Sequence, residues 1–205
     1  MVIVKIMAAL LAAAAAAPPA LAERSLFSLA VQGGLAGQEE NNLRPAPEAG
    51  VGLGLNLGRG ISLNGDVAFW QSRSRTSFRK LHEGTLTVSP LSISLRWELR
   101  PNAYFIPYLL AGGSYVFASH RLSAEAAAAG GRVEQRVESG TAFHLGLGAR
   151  VPLTWRMSFF GEAAYVMRRA PGQTLTWEAN QPVRRDDIWV NLHIVLLKFG
   201  LRVNL

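Results

Sequence analysis

The 205-residue chain is 49% hydrophobic and 17% charged, has 21 Lys and Arg against 14 Asp and Glu for a net charge of +7, and lacks cysteine. Disordered chains are poor in Leu, Ile, Val and aromatics and soluble domains carry about 25% charge, so a disordered chain is excluded and an ordinary soluble surface is disfavoured. The missing cysteines exclude a disulfide scaffold, a thiolate metal site and a lipoprotein anchor. Beyond the first 22 residues, no apolar run approaches the roughly 18 residues that a spanning helix needs.

Met1–Ala22 comes first in chain order. It has one basic residue, Lys5, an apolar stretch over Ile6–Ala17, a Pro18-Pro19 break and an Ala20-Leu21-Ala22 site of A-x-A form. That is the order of parts in a secretory signal peptide, so the exported chain is expected to span 23–205.

From there on, apolar residues recur at every second position, the period of a strand. In Gly50–Leu57, Val51, Leu53, Leu55 and Leu57 oppose Gly50, Gly52, Gly54 and Asn56. In Ile61–Trp70, Ile61, Leu63, Val67 and Phe69 oppose Ser62, Asn64, Asp66 and Ala68. Leu91–Leu99 and Phe143–Val151 repeat the pattern. Eight strands are predicted, at about 25–34, 48–57, 61–71, 85–99, 103–118, 141–151, 156–168 and 187–205. Tight connections at 58–60, 100–102 and 152–155 alternate with long polar ones at 35–47, 72–84, 119–140 and 169–186. An up-and-down membrane barrel has this alternation, with short periplasmic turns and long external loops. The strand lengths suit a tilted crossing of about 9–11 residues.

A membrane barrel is apolar outside and polar inside, the inverse of a soluble one. Seven charged residues share the polar face of the strands: Asp66, Arg96, Glu98, Arg150, Glu162, Lys198 and Arg202. An Arg or Lys facing lipid at mid-bilayer costs about 2–4 kcal/mol, so this face is expected to line the lumen. Trp97, Tyr104, Phe105, Trp155 and Phe199 fall toward the short turns. Trp70, Tyr115, Phe117, Phe143, Tyr165 and Trp189 fall toward the long loops. Two such bands are expected to be interfacial girdles. In the last strand Phe199, Leu201, Val203 and Leu205 alternate with Lys198, Gly200, Arg202 and Asn204. Upstream, Leu192, Ile194 and Leu196, and also Val195 and Leu197, are apolar on both faces, and a bulge there would restore register.

The chain resembles the small eight-stranded outer-membrane barrels of the OmpA/OmpX/OmpW type. The most family-like segments are Ile106–Phe117 (IPYLLAGGSYVF), Phe143–Val151 (FHLGLGARV) and Phe159–Tyr165 (FFGEAAY). The resemblance covers nearly all of 23–205. It implies an all-β fold, an eight-stranded antiparallel up-and-down transmembrane β-barrel, in the outer membrane of a Gram-negative bacterium. The final strand resembles the C-terminal targeting strand recognised by the barrel-assembly machinery, with Leu205 in place of its usual terminal aromatic.

An eight-stranded barrel is just wide enough for side chains to fill, and buried charges need partners. Depth along neighbouring strands predicts two clusters, Asp66–Arg96 and Glu162 with Arg202 or Lys198. The inward Gly52, Gly54, Gly146 and Gly148 leave room for them. A structural plug is expected in preference to a conducting pore.

The histidines, His82, His120, His144 and His193, form no His-x-x-x-His or His-x-His pair, so neither a metal nor a cofactor is expected. His144 is expected to be a hydrogen-bonded interior histidine. Some outer-membrane barrels deacylate lipid A through a His-x-Ser pair. Here Arg121-Leu122 follows His120 and Glu83-Gly84 follows His82, so the pair is absent and no catalytic residue is predicted. The second long loop is basic: Arg73, Arg75, Arg79 and Lys80 would meet lipopolysaccharide phosphates, which guanidinium groups grip in bidentate fashion. Nucleic acid is not an expected partner of an exported chain. The expected function is a non-enzymatic barrel with a structural, adhesive, lipopolysaccharide-binding or partner-binding role, free-standing or within an envelope complex. The alternative is a narrow channel for small or hydrophobic solutes, and a lipid-modifying enzyme ranks third.

Overall fold

The computed structural model describes residues 25–38, 44–74, 84–99, 104–122, 132–178, 181–191 and 193–205. The segment expected to be a signal peptide, Met1–Ala22, lies outside these residues. Among them are eleven strands: β1 (Phe27–Gln38), β2 (Ala46–Gly58), β3 (Ile61–Ser74), β4 (Gly84–Glu98), β5 (Ile106–Leu122), β6 (Arg132–Val137), β7 (Gly140–Pro152), β8 (Met157–Met167), β9 (Arg169–Glu178), β10 (Gln181–Asn191) and β11 (Ile194–Asn204).

Eight of these strands close into a barrel in the order β1-β11-β8-β7-β5-β4-β3-β2. Each neighbouring pair is antiparallel. The ring shuts where β1 meets β11, from Ser28 opposite Asn204 to Gln38 opposite Ile194. Closure leaves no unpaired edge in the wall, the condition for strands to cross a membrane. The β2–β3 hairpin turns through Gly58, Arg59 and Gly60 with φ of 87°, 54° and 78°. Positive φ at consecutive turn residues matches the twist of the flanking strands, and Gly60 also needs its missing Cβ, which would lie 2.8 Å from the Glu98 carbonyl oxygen.

The other three strands form a separate sheet, β10-β9-β6. The expectation that 119–140 and 169–186 are loops is thereby corrected. The strand expected over 187–205 is divided between β10 and β11. Alternation of apolar and polar residues marks a half-buried strand. Sequences such as Arg132–Val137 (RVEQRV) and Gln181–Asp187 (QPVRRDD) consist mainly of charged and amide residues, and so read as loop.

The wall is inverted relative to a soluble protein. Val51, Leu53, Leu91, Ile93, Leu95, Leu145, Leu147 and Leu197 are exposed on the outside, while Arg96, Lys198 and Arg202 are buried within. So much contiguous apolar surface is stable only against lipid. In β11 the alternation is intact: Ile194, Leu196 and Lys198 are buried and Val195, Leu197 and Phe199 exposed. The register with β8 runs unbroken from Ile194 to Val203, so no bulge is present among the described residues of that run, and Leu192 lies outside them. The two-sided apolar run reflects an upper lumen that is itself apolar. Trp97, Tyr104, Phe105, Trp155 and Phe199 are exposed at the short-turn end, and Tyr115, Phe117, Phe143 and Tyr165 are exposed toward the other. The Trp189 side chain lies outside those described. Trp70 departs from the expected outer girdle. It is 2% exposed, because it is in phase with Asp66 and Ala68 on the inner face of β3.

The inner glycines leave space for large neighbours. A Cβ on Gly148 would lie 2.5 Å from Tyr108 Cζ, 2.6 Å from its hydroxyl oxygen and 2.6 Å from the Gly161 carbonyl oxygen. Gly148→Ala is therefore expected to cost about 1–3 kcal/mol, the usual penalty of overpacking. Urea unfolding in detergent measures it, and an unchanged midpoint would mean that both Tyr108 and the Gly161 backbone yield freely.

Candidate functional site

The lumen has two tiers. Toward the outer mouth, Trp70, Leu86, Val88, Val116, Val166, Ile194 and Leu196 pack with several alanines into one apolar cluster. Below them lies the charged tier. All seven charges expected on the polar face of the strands lie there, and none is among the exposed outer residues.

Register explains the pairing. Asp66 and Arg96 stand on adjacent strands, but Asp66 faces Ser92 and Arg96 faces Ser62. An offset of four residues is about 13 Å along a strand. The expected Asp66–Arg96 pair is therefore not formed, and each reaches across the lumen instead. Asp66 Oδ1 lies 3.4 Å from Lys198 Nζ. Arg96 Nη2 lies 3.3 Å from Glu162 Oε2. Glu162 and Lys198 are direct register partners on β8 and β11, with Oε1 and Nζ 3.7 Å apart. The result is a chain, Asp66–Lys198–Glu162–Arg96, that joins β3, β11, β8 and β4. Arg202 does not join Glu162; its Nη2 donates to Asn64 Oδ1 at 2.8 Å. Closer to the short turns, Arg150 grips Glu98 in bidentate fashion, Nε to Oε1 at 3.0 Å and Nη2 to Oε2 at 2.9 Å.

Aromatic rings wedge the chain in place. The Arg96 guanidinium stacks 4.2 Å over the centroid of Tyr108. The Tyr108 hydroxyl donates to Glu162 Oε2 at 3.3 Å. The cavity that runs past both tiers among the described residues holds about 40 Å³ of free space, enough for a few water molecules.

Several contributors escaped the sequence reading. Glu48 is 4% exposed, and among the described residues neither carboxylate oxygen has a hydrogen-bond partner. It is in phase with Gly50, Gly52 and Gly54, so one further step of the period-two count places it inside. Ser92 Oγ and Ser114 Oγ lie 2.9 Å apart, and Ser114 Oγ lies 2.9 Å from His144 Nδ1. A serine beside a histidine invites a nucleophilic reading. All three are buried in the filled lumen, where no acyl substrate has room. Nothing in the sequence announces this relay, because its members lie on different strands. At the outer rim, Arg168 donates from Nη1 to the Val116 carbonyl at 2.7 Å and from Nη2 to the Glu138 carbonyl. It ties β5 and the entry to β7 to the junction that leads into β9. Among the described residues no three His, Asp or Glu side chains come together as a metal site. Of the four basic residues assigned to lipopolysaccharide, Arg73 is exposed at the end of β3, and Arg75, Arg79 and Lys80 lie outside the described residues.

The fold is shared with solved outer-membrane proteins. The crystal structure of OprG from Pseudomonas aeruginosa superposes with a TM-score of 0.71 at 12% identity, over 87% of this chain and 96% of that one. Neisserial surface protein A superposes with 0.60 at 13% identity, over 88% and 98%. A major outer membrane protein of Thermus thermophilus superposes with 0.54 at 14% identity, over 86% and 98%. No curated protein sequence matches the chain. The sequence pattern of the outer membrane protein beta-barrel domain matches residues 6–191. With the closed, inverted eight-stranded wall, that match makes the chain a member of the outer membrane protein beta-barrel domain family.

Proposed function

We propose that this outer-membrane barrel is non-catalytic and non-conducting, and that it acts at its outer face as a structural or adhesive element binding lipopolysaccharide or an envelope protein. The observation that carries the reading is the filled lumen. An ion-paired chain crosses it from β3 to β4 by way of β11 and β8, and among the described residues about 40 Å³ is left free. The outer side, by contrast, is built up. β5 has 17 residues, more than the roughly 9–11 that a crossing needs. The third and fourth long connections hold the three-stranded sheet. Arg73, followed in sequence by Arg75, Arg79 and Lys80, supplies cations suited to phosphate. Export through the 1–22 signal and insertion by the barrel-assembly machinery belong to the same reading.

Planar-bilayer recording tests it. The purified barrel is expected to add no current steps to a bare membrane, whereas a steady conductance would overturn the reading. The second reading is a narrow route for small hydrophobic solutes, and the apolar upper lumen around Trp70, Leu86 and Ile194 favours it. Liposome-swelling rates with small apolar solutes separate the two.

A further inference from the structure

The lipid side of the wall changes chemistry in ordered steps toward the outer mouth. In β3, β4 and β5 the alternation of the wall continues past its apolar residues without a break. Phe69, Tyr115 and Phe117 are exposed on that side. Two residues beyond Phe69 and Phe117, Gln71, Thr87 and Ser119 stand side by side in register, and Gln71 Nε2 donates to Thr87 Oγ1 at 3.4 Å. Two residues further out, Thr85 faces Arg73 on one neighbouring strand and Arg121 on the other. Both arginines are exposed, and among the described residues neither has an ion-pair partner. Arg44, also exposed, is held beside them: its backbone N–H donates to the Arg73 carbonyl at 3.5 Å, and its carbonyl accepts from Ser72 Oγ at 2.7 Å.

Depth places this row among lipid headgroups. Arg73 lies twelve residues beyond Ile61, at the short-turn end of β3. At about 3.3 Å per residue and a tilt of about 40°, that is roughly 30 Å, just above an apolar band of about 25 Å. Girdle aromatics sit at headgroup level, and the arginines stand one step above them. The rows therefore offer rings, then amide and hydroxyl groups, then guanidiniums, the order of acyl chain, sugar and phosphate in a phosphorylated glycolipid. Arg73 and Arg121 stand two strands apart, about 10 Å, so their side chains can close on one phosphate from two sides. Guanidiniums grip such oxygens in bidentate fashion. A glycerophospholipid such as phosphatidylglycerol offers a singly charged diester and no sugar ring for the middle row.

We propose that Arg73, Thr85 and Arg121, with Arg44 beside them, bind one phosphate of a phosphorylated glycolipid of the outer leaflet, whose sugar lies against Gln71, Thr87 and Ser119. The proposal rests on the reading of an outer face that binds lipopolysaccharide, and it names the site.

Native mass spectrometry of the full chain in neutral detergent tests it, with lipid A, lipid A stripped of its phosphates, phosphatidylglycerol and inorganic phosphate as probes. The wild type is expected to hold lipid A at least about tenfold more tightly than the stripped form or phosphatidylglycerol, and to keep it in millimolar inorganic phosphate. Arg73→Gln and Arg121→Gln are each expected to weaken lipid A binding about tenfold, the worth of one charge-assisted hydrogen bond. Equal affinity for the stripped form or phosphatidylglycerol, or displacement by inorganic phosphate alone, would overturn the proposal. Wild-type affinity in both variants would overturn it too, and would leave the lipopolysaccharide reading standing with its site elsewhere. A wild type that holds no lipid A overturns both. The probe series uses the wild type, so it decides even if a variant fails to fold.

Discussion

Glu162→Ala is expected to destabilise the folded barrel by about 3–5 kcal/mol, the cost of removing one member of a buried ion pair. Glu162 is the hub of the lumen: its Oε2 takes Arg96 at 3.3 Å and the Tyr108 hydroxyl at 3.3 Å, and its Oε1 faces Lys198 at 3.7 Å. Its side chain is 7% exposed, so solvent screens little of this. Without it, Arg96 keeps its charge and loses its carboxylate, whereas Lys198 retains Asp66 at 3.4 Å. For a chain of this size the loss corresponds to about 6–20 °C of melting temperature. Circular dichroism on heating in detergent measures it. Glu162→Gln keeps an acceptor for Tyr108 while losing the charge, and is expected to fall between wild type and Ala. A melting curve for Ala that overlays the wild type would show that the ion-paired chain contributes nothing to stability.

Tyr108→Ala is expected to cost about 3–5 kcal/mol as well, by a different route, the emptying of a packed aromatic position. Tyr108 is 1% exposed and fills the space left by Gly148. It also carries the stacked Arg96 and bonds Glu162. Removing the ring leaves a void beside the charged tier, so the variant that remains folded is expected to pass current in planar bilayers where the wild type passes none. Tyr108→Phe keeps the ring and loses only the hydroxyl's bonds, at about 1 kcal/mol, and is expected to stay closed. If Tyr108→Ala stays silent at full stability, the plug does not depend on this residue.

These two residues mark how far the lumen is legible in the sequence. Glu162 is legible, because a charge in the middle of an apolar-alternating strand has to face inward. Its register partner Lys198 is among its expected partners for the same reason. The partner of Arg96 is not legible. β4 and β8 are not neighbours in the wall, and the contact exists only because the barrel closes. Tyr108 sits in a run, Pro107-Tyr108-Leu109-Leu110, that is apolar on both faces, so alternation assigns it no side. Trp70 is legible yet misassigned: its phase with Asp66 puts it inside, whereas its place near the strand end suggests an outer girdle.

The amino-acid sequence by itself determined the eight wall strands, the tight turns at 58–60 and 152–155 and the inside-out polarity, while the turn expected at 100–102 lies outside the described residues. Each of those strands meets lipid on one face and a polar or packed lumen on the other, and two environments at a period of two leave a direct imprint on residue order. The outer sheet left no such imprint, because β6, β9 and β10 lie outside the wall and are built largely from polar residues. Only the tertiary structure decided which charges meet. That outcome depends on the stagger of neighbouring strands, where four residues separate the rungs of Asp66 and Arg96. It depends equally on closure of the ring, which brings β3 opposite β11 and β4 opposite β8. Stagger and closure are properties of the whole barrel, and no local pattern of residues encodes them.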